Sequence, residues 1–147
     1  MNDTRFASVT PDLWAKFKRD YEKDCELVGR MRRAGVEILA GSDMSADLLI
    51  PGFSLQDELV LLVKAGLTPM EALQAATRNP ARFLGLLDSL GTIERGKIAD
   101  LVLLDANPLL DIRHMQKINA VVVNGRLLDR TALDDLLAKA VAAGQNK

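Results

Sequence analysis

An amphipathic helical pattern that runs through a glycine turn into a short apolar segment fills residues 10–41, and few folds accommodate that succession. Thr10-Pro11 opens it, with threonine suited to the N-cap and proline to the first helical position, where its missing N–H has no intrahelical partner anyway. Trp14, Phe17, Tyr21, Cys25, Val28 and Met31 then recur at steps of three or four and form one apolar stripe. Ala34-Gly35 ends the helix, since glycine tolerates the left-handed position beyond a C-cap. The run Val36-Glu37-Ile38-Leu39-Ala40, bounded by glycines, reads as a buried strand. A helix followed by a short loop and a mostly apolar strand is half of a β/α repeat, so the fold class expected is α/β.

Residues 41–53 read as a loop with Pro51-Gly52 as turn punctuation, and three helices follow. Ser54-Leu55-Gln56-Asp57 fits a capping box ahead of a helix that runs to Gly66. Thr68-Pro69-Met70-Glu71 repeats the device with threonine as cap and glutamate at N3. Asn79-Pro80 is expected to cap a short helix from Ala81 to Leu86. The texture changes after Leu90. Gly91 to Lys97 has the look of a hairpin, and Asp100–Asp105 and Ala120–Gly125 are β-rich. Leu103 is expected in a buried strand. Asn124-Gly125, between Val121–Val123 and Arg126–Leu128, is a strong tight-hairpin signal. Thr131 to Asp134 should cap a last helix ending near Ala143. The organisation expected is 1–88 mainly helical with one strand, 89–130 a small β-segment, and 131–147 a terminal helix and tail.

Charge excludes some functions. There are 19 basic and 20 acidic residues, which leaves no electrostatic footprint for nucleic acid or an anionic membrane. The Arg30, Arg32, Arg33 group falls where a helix ends and complements its dipole. No apolar run approaches membrane-spanning length. A single cysteine, Cys25, forbids an intrachain disulfide and fits a reducing, cytoplasmic setting.

Chemistry narrows to Asp43, just beyond the expected strand in Ala40-Gly41-Ser42-Asp43. Loops at the carboxyl ends of strands build the active sites of α/β folds, and a carboxylate there can bind a metal or accept a proton. Ser42 and Asp43 read equally as caps of a turn, a commoner use of both residues. The metal-ligand inventory is thin: one histidine, His114, between two β-runs, and one cysteine on a helical stripe. A catalytic zinc usually takes three protein ligands. His114 reads as a surface-loop residue and Cys25 as a small apolar filler. A pair of carboxylates, Asp43 and Asp47, would hold magnesium or calcium only weakly.

Several motifs in order carry a resemblance. Gly35 to Asp43 resembles the last barrel strand of amidohydrolases. Pro51-Gly52-Phe53-Ser54, Glu58-Leu59, Ala65 to Leu73, Ala76 to Ala81, Leu84-Gly85-Leu86, Gly91 to Asp105 and Val123 to Arg126 follow in sequence. The set is similar to the imidazolonepropionase-like and Xaa-Pro dipeptidase-like branch of that superfamily. The resemblance implies the carboxyl-terminal part of a TIM-like metal-dependent hydrolase barrel: the last β/α repeat, extra helices and part of a flanking small β-sandwich. It implies that Asp43 is a catalytic and metal-site residue, taking a proton from attacking water and passing it to the leaving nitrogen of a C–N bond. It also implies a divalent metal, zinc, in the parent enzyme. Many relatives carry histidine where this chain has Gln56. The family's other metal ligands belong to earlier strands, so this chain alone is expected to bind no metal and to be inactive. Its expected partners are a second copy or a separate amino-terminal portion; the alternative is a non-catalytic truncated module that self-associates through barrel and sheet edges.

Overall fold

The first turn of α1, Pro11–Arg33, shows how local bonds set an element: Thr10 Oγ1 accepts from the Leu13 N–H at 3.3 Å. This is a computed structural model that describes residues 10–43 and 52–145. At the far end of α1, the Gly35 N–H donates to the Arg32 carbonyl and the Val36 N–H to the Met31 carbonyl, the paired bonds of a Schellman motif. The same pair closes α2, Ser54–Lys64, where Gly66 donates to Val63 and Leu67 to Leu62. Gly66 has φ 109, which a side chain would resist. Its turn sends Leu67 back onto Leu62, and both are buried.

Helix α3, Pro69–Ala76, begins with the expected capping box: Thr68 Oγ1 accepts from the Glu71 N–H, and Glu71 Oε2 accepts from the Thr68 N–H at 2.7 Å. Glu71 also pairs with Arg32 at 2.8 Å, tying the end of α1 to the start of α3. Those contacts, the Thr68 N–H first, pull the Glu71 carboxyl down to about 2. Helix α4, Arg78–Phe83, follows at once.

The sheet is β1 (Leu101–Leu104), β2 (Ile118–Val123) and β3 (Arg126–Leu128), antiparallel in the order β1-β2-β3. Leu101 faces Val122 and Leu103 faces Ala120, with an irregularity before Leu104. Val123 faces Arg126 across the expected Asn124-Gly125 turn, where both residues have positive φ, 48 and 78. A 3-10 turn, Ile112–Gln116, links β1 to β2, and α5, Arg130–Gln145, packs against β2 and β3.

The main core lies between α2, α3 and the 3-10 turn. Leu59, Leu62, Leu67, Ala72, Ala75 and Ile112 are buried together, with Val28, Ile38, Ala40 and Met115 partly buried against them. Helix α1 reaches this core through Val28, while Gly29, its one buried residue among those described, lies against the Ala65 carbonyl.

Several expectations need correction. Residues 36–40 form no strand and pair with none among the described residues, and Val36 and Leu39 are exposed. The segment rests on α3 and α4 instead. The helix expected from Ser54 is capped by Phe53, with Ser54 already inside it. Asn79 is no cap: it lies within α4, which ends at Phe83 rather than Leu86. The run Gly91 to Lys97 forms bends and turns, not paired strands. Asp129, not Thr131, caps α5, its Oδ1 accepting from the Ala132 N–H at 2.9 Å. Leu103 is 44% exposed rather than buried, although Ala120 opposite it on β2 is buried.

The tightest packing test is at Gly29. A Cβ there would lie 2.5 Å from the Ala65 carbonyl oxygen, a backbone atom that cannot step aside. Gly29→Ala is expected to cost about 1–3 kcal/mol by urea unfolding. Gly144→Ala, with open space around it, should be neutral or mildly stabilising. Equal midpoints for Gly29→Ala and the parent chain would mean that α1 and α2 do not approach so closely.

Candidate functional site

Asp43 stands three residues beyond the segment 36–40, which is anchored among the described residues by contacts to α3 and α4. The Ala40 N–H donates to the Ala75 carbonyl at 2.8 Å, Asn79 Nδ2 to the Ile38 carbonyl at 3.0 Å, and Arg82 pairs with Glu37 at 2.9 Å. Asp43 has φ 42, one of two non-glycine residues with positive φ among those described. Such a conformation costs an L-residue energy, although aspartate tolerates it better than most.

Gly41, Ser42 and Asp43 line one side of a cleft of about 240 Å³, and Ser54, Asp57, Glu58 and Leu61 line the other. The first turns of α2 therefore face the Asp43 segment. Glu58 is half-buried there, and burial pushes its carboxyl above the usual glutamate range. A carboxylate-lined cleft of this kind can accept protons and attract cations. A larger groove, about 610 Å³, lies elsewhere, between α3–α4 and β1. Its lining is mostly apolar, including Leu73, Leu84, Ile93, Leu101 and Met115, so it offers little chemistry of its own.

The remaining candidates lie apart from Asp43. His114 sits in the 3-10 turn with Nδ1 2.8 Å from the Asn107 carbonyl, which makes it a brace for the loop before it. Cys25 is half-buried on α1. Gln56 lies in the first turn of α2. Asp47 falls outside the described residues. Glu58 and Asn79 were not singled out from sequence as site residues. Glu58 had a readable signal in its i, i+1 place beside Asp57 on a helix facing the Asp43 loop; Asn79 had none, because its partner lies 41 positions away.

A divalent metal tests badly against this donor set. Among the described residues no group of three or more His, Cys, Asp or Glu is placed to hold one. The cleft offers carboxylates without an imidazole, whereas a catalytic zinc usually draws on histidine. The described residues do not make a zinc site by themselves. No helix among them is long and apolar enough to cross a membrane.

Glu58 yields a pH test. A raised carboxyl pKa means the folded chain holds the proton more tightly than the unfolded one. That stability is complete below the ordinary glutamate value and is lost as pH rises through the shifted one. Glu58→Gln imitates the protonated form, so it should match the parent chain below about pH 4 and exceed it at neutral pH. Urea midpoints across that range decide the matter, and a parent chain as stable as the variant at neutral pH would contradict the burial of this carboxyl.

Comparison with known proteins finds relatives across most of the chain. An ochratoxinase from Aspergillus niger is 34% identical over 115 residues, covering 77% of this chain and 23% of that protein. An imidazolonepropionase from Pyrobaculum arsenaticum is 45% identical over 78 residues, covering 53% of this chain and 19% of that protein. The solved structure of a Xaa-Pro dipeptidase with methionine bound in its active site superposes with a TM-score of 0.65 and 33% identity, over 71% of this chain and 25% of that one. The chain spans about a quarter of the length of such relatives. Residues 14–128 match the amidohydrolase family, and the chain belongs to it.

Proposed function

We propose that this chain is the carboxyl-terminal portion of a metal-dependent amidohydrolase that cleaves C–N bonds of the amide or peptide type, and that Asp43 is its contribution to the reaction. The supporting observation is the placement of Asp43: a non-glycine residue at φ 42, three residues beyond an anchored segment and on a cleft faced by α2. Hydrolases among the relatives support the reaction class. In this reading the segment 36–40 is the last strand of a barrel whose other strands lie outside this polypeptide. The Asp43 carboxylate takes a proton from the attacking water and passes it to the leaving nitrogen. The rest of the donor set comes from an amino-terminal portion, and the chain by itself is inactive. A reducing, cytoplasmic setting suits its single thiol.

Elemental analysis of the purified chain beside Asp43→Ala is the direct test. Zinc well below one equivalent is expected in both. Stoichiometric zinc that disappears in Asp43→Ala would show that copies of the chain assemble a full site, and would overturn the inactivity of the isolated chain.

A second reading, a non-catalytic module that self-associates, is favoured by one observation. Phe83, Ile93 and Leu110 are 75%, 85% and 82% exposed, the first two beside or within the apolar groove between α3–α4 and β1. Exposed apolar side chains of this size support the self-association reading. Light scattering coupled to size exclusion should find a dimer or larger species. A strictly monomeric chain at the highest attainable concentration would remove this reading.

A further inference from the structure

We infer that Asn79 is the positioning residue for Asp43: its side-chain amide takes the place of a neighbouring strand at the Ile38 carbonyl and so sets where the segment that ends in Asp43 stands. The inference rests on the reading of Asp43 as the site carboxylate.

The segment 36–40 has an unusual problem. Its backbone groups need partners, and among the described residues no strand lies alongside it. On one side α3 supplies a main-chain acceptor, the Ala75 carbonyl, for the Ala40 N–H. At Ile38 the partner comes from a side chain of α4 instead. Asn79 Nδ2 donates to the Ile38 carbonyl at 3.0 Å, in a half-buried position where a missing partner is costly. The amide nitrogen faces the carbonyl, since oxygen against oxygen would repel.

Placement explains why this residue can do it. Asn79 lies in the first turn of α4, directly before Pro80 and one turn before Arg82, whose guanidinium pairs with Glu37. Residues 79 and 82 share a helix face, so one short helix grips two successive residues of the segment, Glu37 by charge and Ile38 by hydrogen bond. Ala40 is held by α3. Three bonds thus fix alternate and adjacent positions of residues 37–40. Beyond Ala40 only Gly41 and Ser42 intervene before Asp43, so the anchors at Ile38 and Ala40 together set where the stretch carrying the carboxylate begins.

An isosteric change separates positioning from packing. Asn79→Asp keeps the shape of the side chain and removes the donor, while Asn79→His keeps a ring N–H at the δ position. In Asn79→Asp, amide exchange across residues 38–43 should accelerate roughly tenfold to a hundredfold relative to Leu59 and Leu62 in the core. The Ile38 carbonyl carbon resonance should move, and the Asp43 HN–Hα coupling, which reports φ, should leave its present value. Asn79→His should restore all three towards the parent chain. In the parent chain itself, the Asn79 side-chain amide protons should show contacts to Ile38 and slowed exchange, which keeps the test open should a variant fail to fold.

Unchanged exchange and coupling in Asn79→Asp would overturn the inference. So would equal acceleration throughout the molecule, which marks a residue that only stabilises the fold. These signals do not depend on any metal or turnover. The role of Asp43 therefore fails separately, if a complemented hydrolase keeps its activity with Asp43→Ala.

Discussion

Everything in this chain hangs on a small contact: Ala72 and Ala75 of α3 pressed against Leu59 and Leu62 of α2, with Leu67 and Ile112 closing the ends. Two alanines allow helices to approach closely, and both are fully buried. The two Schellman turns that end α1 and α2 aim the chain at this cluster, and the capping box at Thr68 starts α3 in the right place. The core then lends its backbone to the site, because the Ala75 carbonyl that anchors Ala40 belongs to the same buried residue. Loosening α3 would release the core and the Asp43 segment together.

What sequence could and could not disclose follows from the range of the bonds involved. Helix α1, the capping box at Thr68 and the Asn124-Gly125 hairpin were readable because each depends on residues within four positions. The failures fall where the chain offers more caps than it has helix starts. Ser54, Asn79 and Thr131 are all good cap residues, yet Phe53, Thr77 and Asp129 occupy the cap positions. Tertiary contacts made that choice; Asn79 spends its amide on Ile38. The segment 36–40 was read as a buried strand from its apolar composition. Composition reports what a strand would bury, not whether neighbours are at hand. Asp43 was found from its place after that segment, but the Glu58 wall of its cleft comes from a helix 15 positions on.

The exposed apolar side chains follow the same logic. Trp14 and Phe17 make an edge-to-face pair 6.2 Å apart near the start of α1, both exposed, continuing the stripe that Val28 buries. A stripe that is buried at one end and open at the other is a helix designed for more contact than these residues provide. Leu103 on β1 and the apolar groove beside it repeat that condition on the sheet side. Along α1 and β1 the residues are more apolar than their surroundings.

Charge is distributed to hold the segment rather than to furnish the cleft. Arg32, just before residues 34–40, is committed to Glu71, and Arg82 is committed to Glu37 within them. Both pairs are partly exposed, and exposed ion pairs contribute about 1 kcal/mol or less. Their effect is registration more than stability. The cleft itself gathers Asp43, Asp57 and Glu58, with Glu58 biased towards its protonated form by burial. Several weak bonds therefore place Asp43, and each is cheap to adjust. A carboxylate mounted this way keeps its place through the sum of its anchors.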